Sequence, residues 1–201
     1  MITAYVGLPG TGKTYGLVLE AIRGIRNKRN VYSNFDINLE GVIRIKGFSD
    51  LIHIRDGLVI LDELNLWFPS RLWQSIPPEV LSLWAQSRKR GIELIYSTQH
   101  LDRVDKVVRE VTNFVIRCNT ISIFGLQLFM YSTFQPEDWD KEKRRSLGRR
   151  IVRFRQSIAD LYDTYQIIDD IATILQREAT QQQKSTIRVP YTGSYCKGGR
   201  S

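Results

Sequence analysis

Residues 1–14, MITAYVGLPGTGKT, run a short apolar segment, Ile2 to Val6, straight into the spacing Gly-x-x-x-x-Gly-Lys-Thr, met by Gly7, Gly12, Lys13 and Thr14. A strand that turns through glycines into a helix aims successive backbone N–H groups at one point, and the helix dipole adds positive charge there. That is a phosphate-binding loop, and the strand and helix signals on either side make a chance match in an ordinary turn the weaker reading. The loop reading assigns Gly7, Pro9, Gly10, Thr11, Gly12, Lys13, Thr14 and Tyr15 to a nucleotide. Lys13 would reach the β- and γ-phosphates, and the Thr14 hydroxyl would ligate Mg²⁺, so ATP and Mg²⁺ are the expected cofactors.

Downstream, strand-like runs near 30–35, 58–61, 92–97 and 113–118 alternate with helical stretches near 13–27, 48–54, 78–90 and 102–111. This alternation predicts an α/β fold, a P-loop NTPase with a central, mainly parallel sheet flanked by helices. Residues 120–124 and 126–134, split by Gly125, read as a β-hairpin added to that core. The expected organisation is an ATPase core with its hairpin over 1–135 and a charged linker over 136–150. A helical appendage over 151–178 follows, spaced by Ile151, Val152, Phe154, Ile158 and Leu161, and a flexible basic tail closes the chain over 179–201.

Two further strands end in chemistry. GLVILDE, residues 57–63, runs a buried-type strand into Asp62 and Glu63. An acid at that place holds Mg²⁺ through water, which gives Asp62 the metal, and the next acid can take a proton from an attacking water, which makes Glu63 the candidate base. The plainer reading is that both acids cap the next helix or loop. IELIYSTQH, residues 92–100, ends in Gln99. If this strand lies between the other two, Gln99 faces the γ-phosphate and can sense it or fix the water; otherwise it is a loop amide. In SRKRG, residues 87–91, Arg88 or Arg90 would serve as an arginine finger offered to a neighbouring subunit, or would simply suit the negative end of a helix.

These residues resemble a family. Zonular occludens toxin domain proteins, including the gene I assembly proteins of filamentous phages, share a P-loop at the extreme N-terminus and an apolar strand ending in Asp-Glu before an aromatic and Pro-Arg. They also share an Arg-x-x-Gly before the next strand and an Ile/Val-Arg-Glu after it. The matching segments here are GLPGTGKT, LVILDELNLWFPSR, SRKRG and VVREVTN, with LFMYST and LYDTYQ farther on, so the similarity covers roughly residues 1–170. It places the chain within the HerA- and FtsK-like P-loop ATPases, ring-forming DNA pumps that include viral genome-packaging enzymes. By that resemblance Arg88 is the finger and Arg109 a second interface arginine.

The resemblance implies an ATP-hydrolysing motor that translocates or packages phage DNA during virion assembly, as a homo-oligomeric ring for which a hexamer is one candidate size. Many family members carry a transmembrane helix and a periplasmic part. No apolar run here approaches bilayer length, which moves the expectation from membrane-embedded export towards an assembly motor in the host cytoplasm, associated with the virion or membrane only peripherally. The absence of a basic-then-apolar leader and the presence of only Cys118 and Cys196 agree with a reducing compartment.

With 29 Lys and Arg against 21 Asp and Glu, the +8 net charge suits a polyanion such as nucleic acid or anionic lipid head groups, set against the plainer reading of a basic protein without such a partner; the resemblance implies viral DNA, with coat or capsid protein as a second partner. In LWFPSRLWQSIPPEVLSLW, residues 66–84, Arg71 and Trp73 are the candidate DNA contacts, set against the plainer reading of Trp67, Trp73 and Trp84 as packing residues. The rival functions are a non-motor assembly scaffold, an export ATPase of filamentous-phage type, and a small-molecule kinase using the charged segment as a lid. A GTPase is disfavoured, since Asn-Lys-x-Asp is lacking and NKRN at 27–30 is misplaced.

Overall fold

The computed structural model describes residues 1–139, 141 and 145–186. The chain runs β1 (Ile2–Val6), α1 (Lys13–Arg26), β2 (Val31–Ser33), β3 (Val42–Arg44), α2 (Phe48–His53), β4 (Gly57–Leu61), α3 (Leu64–Trp67), α4 (Pro78–Gln86) and β5 (Ile92–Thr98). It continues through α5 (Lys106–Glu110), β6 (Phe114–Ile123), β7 (Leu126–Phe134), β8 (Gly148–Arg153), α6 (Gln156–Ala159) and α7 (Ile171–Thr186). All eight strands join one sheet in the order β3-β2-β4-β5-β1-β6-β7-β8. From β3 to β6 every pairing is parallel, and β7 and β8 add antiparallel at the far side. The protein therefore has the expected α/β fold with a hairpin extension.

β1 and β4 are buried at every residue, as continuous apolar strands covered on both faces must be. On one face α1 packs against β1, β4 and β5. Rings of Phe48, Trp67, Phe68, Trp84 and Tyr96 meet edge to face in a continuous chain that ties α2, α3 and α4 to β5. Trp67 and Trp84 are packing residues accordingly, whereas Trp73 stands 56% exposed. A second aromatic group, Tyr5, Tyr15, Phe129, Tyr131 and Phe154, clamps α1 to the hairpin.

The region after residue 135 differs from the sequence reading. Pro136–Asp138 form one 3-10 turn, and Gly148–Arg153, split between an expected linker and an expected helix, form β8. The β-branched pair Ile151 and Val152 sits opposite Met130 and Phe129, where ladder hydrogen bonds to β7 and the packing of Val152 outweigh helical spacing. Within 151–178 helix returns only as the one-turn α6 and then α7, with bonded turns between. α7 continues to Thr186, past the expected start of the tail, because Gln, Ala and Lys are adequate helix formers. Residues 140, 142–144 and 187–201, hence most of the tail and Cys196, lie outside the described residues.

Candidate nucleotide-hydrolysis site

β5 lies between β4 and β1, so the loops leaving β1, β4 and β5 open at one end of the sheet. The phosphate loop takes its shape from glycines. Gly10 and Gly12 have φ of 77° and 83°, in the left-handed region that side chains disfavour. A Cβ on Gly12 would stand 2.3 Å from the Phe129 ring. Thr11 Oγ1 donates to Leu8 O at 2.7 Å, folding the loop back on itself. The hairpin braces it from behind: Tyr131 donates its hydroxyl to Gly12 O at 2.8 Å, and Thr120 donates to Gly10 O at 2.9 Å. Burial pushes the Tyr131 phenol far above its ordinary range, so it is a neutral donor at any physiological pH.

Lys13 is buried, with Nζ 3.4 Å from Leu8 O and 3.7 Å from Glu63 Oε1. Thr14 Oγ1 donates to Asp62 Oδ2 at 2.8 Å. A hydroxyl and a carboxylate meeting at the start of a helix are the hard oxygen donors that Mg²⁺ takes while keeping most of its waters, so the donor set fits that ion. The Tyr15 side chain is turned away from the phosphate loop. It is buried against Phe129 and Phe154, and its hydroxyl donates to Arg153 O and accepts from Arg155 N–H.

The acid pair is held by residues the motif reading gave no role. Asn34, just beyond β2, is buried and grips the Asp62 backbone from both sides: Asp62 N–H donates to Asn34 Oδ1 at 2.7 Å and Asn34 Nδ2 donates to Asp62 O at 2.9 Å. Ser97, near the end of β5, donates to Asp62 Oδ1 and accepts from Glu63 N–H at 3.0 Å. Glu63 itself lies at φ 45°, ψ 54°, a left-handed conformation that a non-glycine residue keeps only when its surroundings enforce it. The signals for these residues were a polar Asn after an apolar strand and a Ser before Thr-Gln. Both became meaningful only once β2, β4 and β5 were known to be neighbours.

The Glu63 carboxyl is raised above its ordinary pKa. Burial is the main cause; the Lys13 ammonium opposes it, the Asp62 carboxylate adds to it, and hydrogen bonds from Gln99 and Lys13 pull it back down. Gln99 thus reaches Glu63 as the strand order requires. A carboxylate raised by burial yet restrained by a cation and an amide is suited to accept a proton from water.

Arg88 is not brought to this site. It is exposed in the turn before β5, beside Met1 and Ile2 at the opposite end of β1. Arg90 is spent on Ile52 O at 3.2 Å, and Arg109 stands 3.6 Å from Asp102. Arg71 and Trp73 are exposed on the loop that follows the acid pair, with Arg71 and Arg103 lining one shallow groove.

A family model described as zonular occludens toxin (Zot) matches residues 1–167. The chain belongs to that family. Gene 1 protein of Enterobacteria phage fd is 26% identical over 57% of this chain and 41% of its own length, and Gene 1 protein of phage I2-2 is 29% identical over 37% and 21%. The chain spans about two fifths or less of the length of these relatives. The N-terminal domain of zonular occludens toxin from Neisseria meningitidis superposes with TM-score 0.53 at 19% identity, covering 81% of this chain and 98% of that one. The genome packaging NTPase B204 of Sulfolobus turreted icosahedral virus 2, in complex with ATP-gammaS, gives 0.51 at 15% identity, covering 72% and 95%. These structural likenesses establish the shared P-loop NTPase fold.

Proposed function

We propose that this protein is a phage-assembly ATPase that couples ATP hydrolysis to movement of viral DNA. The observation that carries the reading is the convergence of Lys13, Thr14, Asp62, Glu63 and Gln99 at the mouth of one glycine loop. The phage relatives and the packaging NTPase with the same fold support it.

In the proposed reaction the loop N–H groups and the α1 N-terminus hold the phosphates, and Lys13 neutralises charge growing on the β- and γ-oxygens. Mg²⁺, when bound by Thr14 and through water by Asp62, supplies further neutralisation. Glu63 takes a proton from the attacking water while Gln99 orients it. Lys13 beside Glu63 opposes the upward push that burial gives that carboxyl; engagement of Lys13 by phosphate would weaken this opposition and raise the basicity of Glu63. Arg88 would complete a neighbour's site in a ring, since it cannot complete its own. Arg71 and Trp73 would grip DNA on the loop immediately after the acids, in the host cytoplasm, with coat or capsid protein as further partner.

ATP turnover measured with and without double- and single-stranded DNA tests the reading. DNA stimulation that disappears in Lys13→Ala and Glu63→Gln is the expected result. Turnover without any response to DNA leaves an assembly scaffold, and absence of turnover refutes the ATPase. Titrating Arg88→Ala subunits into wild type tests the finger, and activity falling only in proportion to dose rejects action between chains.

A further inference from the structure

We propose that Tyr162 belongs to the nucleotide site, donating its hydroxyl to the terminal phosphate of a bound nucleoside triphosphate at the corner where Thr14 meets Asp62. This rests on the proposed function and gives a role to LYDTYQ, residues 161–166, which the site as described leaves without one. After β8 the chain leaves the hairpin side of the sheet and crosses α1 to reach β2, near the opposite edge. Phe154 packs on Tyr15, the Tyr15 hydroxyl accepts from Arg155 N–H at 3.1 Å, and α6 lies against α1. The crossing ends in a bridge, where Tyr162 pairs antiparallel with Ile37 and Asn38 N–H donates to Leu161 O at 2.7 Å. Gln166 then clasps Asp36, accepting from its N–H at 2.8 Å and donating to its Oδ2 at 2.6 Å. Beyond the strap, Arg177 of α7 donates to Lys46 O at 2.9 Å, and Glu178 accepts from Ser49 N–H at 2.7 Å, which fastens the far end beside α2.

The strap touches the elements that build the site. Tyr15 follows Thr14 in the first turn of α1, and Ile37 and Asn38 come shortly after Asn34, whose side chain holds the Asp62 main chain. Tyr162 stands half-buried where these two elements meet, within electrostatic reach of both Asp62 and Tyr15. Its phenol is raised above the ordinary range, chiefly by burial; a hydrogen bond with Thr164 pulls it back, and the Asp62 carboxylate adds to the rise. The phenol is therefore neutral, and a bond that lowers its pKa is one that Thr164 donates to its oxygen. Among the described residues no acceptor takes the Tyr162 proton itself. Asp62 has both oxygens served, Oδ2 by Thr14 and Oδ1 by Ser97. The acceptor still to arrive is the phosphate chain that the glycine loop and Lys13 hold. A neutral O–H suits an oxygen of its last phosphate, because it makes a charge-assisted bond without setting a second cation beside Lys13. A diphosphate stops one phosphate short and leaves the bond unmade, so the strap distinguishes the two nucleotides.

Calorimetry of the full chain in Mg²⁺, with a non-hydrolysable ATP analogue and with ADP, tests the assignment on wild type and Tyr162→Phe. Phe keeps the ring and the bridge to Ile37 and removes one oxygen, so thermal stability should hold. Affinity for the analogue should fall about tenfold or more, while affinity for ADP stays within about twofold. Hydrogen exchange on the wild type reads the same contact without a substitution: amides of residues 161–166 should slow when the analogue is added and not when ADP is. Equal loss for both nucleotides makes Tyr162 a packing residue for α1 and overturns the proposal. So does an unchanged affinity for the analogue, or exchange in the strap that ignores it. Wild type that binds and hydrolyses ATP alongside any of these results keeps the proposed function and removes only this contact; wild type that binds neither nucleotide removes both.

Discussion

Replacing Asn34 with Leu tests whether the acid pair is positioned by a side chain that never touches nucleotide. Leu branches at Cγ as Asn does but is bulkier, so the substitution removes two hydrogen bonds, at 2.7 and 2.9 Å, and adds crowding at a buried position rather than a cavity. Each neutral bond contributes about 0.5–1.5 kcal/mol, and the Asp62 N–H left without its acceptor in a buried place adds a desolvation cost of about 1–3 kcal/mol. The sum, taking the middle of the ranges and allowing for relaxation, is about 2–4 kcal/mol. In a chain of this size that lowers the melting temperature by roughly 5–15 °C. Catalysis should suffer beyond stability, because Asp62 and Glu63 leave β4 together and a displacement near 1 Å at a reacting group costs about 100-fold. Urea denaturation gives the first quantity, and turnover at a temperature where the variant is fully folded gives the second. Nucleotide affinity, carried mainly by the loop, should change much less than kcat. A folded Asn34→Leu protein with wild-type kcat, or a stability loss under about 0.5 kcal/mol, would refute the positioning argument.

The same geometry sets three further outcomes. Gly12→Ala forces a Cβ into a left-handed residue, about 1–2 kcal/mol, and against Phe129 at 2.3 Å; nucleotide binding by calorimetry should fall steeply, and adding Phe129→Leu should recover part of it. Gln99→Leu removes a hydrogen bond that holds the Glu63 pKa down, so the acid limb of the kcat profile should move to higher pH; the base works only when deprotonated, and a limb that stays put while kcat drops would show that Gln99 acts on something other than Glu63. Thr14→Ala removes the hydroxyl that pairs with Asp62, so its nucleotide affinity should be the same in Mg²⁺ and in EDTA, whereas wild type should bind more tightly with Mg²⁺.

The parts of the site that local chemistry dictates were legible in the sequence. Gly12 must be glycine because its backbone is left-handed and Phe129 leaves no room, and Asp62 and Glu63 come after a strand whose continuous burial shows in its apolar run. The features the sequence hid depend on neighbours far along the chain. Asn34 acquires its role from β2 pairing with β4, and Tyr131 from a hairpin that closes behind the loop. β3 spans only Val42–Arg44, too short for a periodicity signal. β8 escapes a sequence reading because Ile151, Val152, Phe154 and Ile158 fit a helical face as well as a strand, and only the exposed edge of β7 decides between them.

The topology also supplies a route by which phosphate chemistry can reach the proposed DNA-gripping loop. Glu63 leads directly into α3, whose Leu64 and Trp67 are fully buried, so the helix cannot yield independently of the core. Thr98, beside Gln99, donates to Asn65 Oδ1 at 3.0 Å and to His100 O at 3.0 Å, tying the end of β5 to α3. Farther out, Asp105 N–H donates to Phe68 O at 2.9 Å and Pro69 bridges to Val104, so the segments leaving β4 and β5 travel as one unit. Arg71, Trp73 and Arg103 are carried on that unit. Under the proposed function, a change at Glu63 and Gln99 when the γ-phosphate leaves would be applied to both ends of the tie at once, and the exposed loop is the part with least packing to resist it.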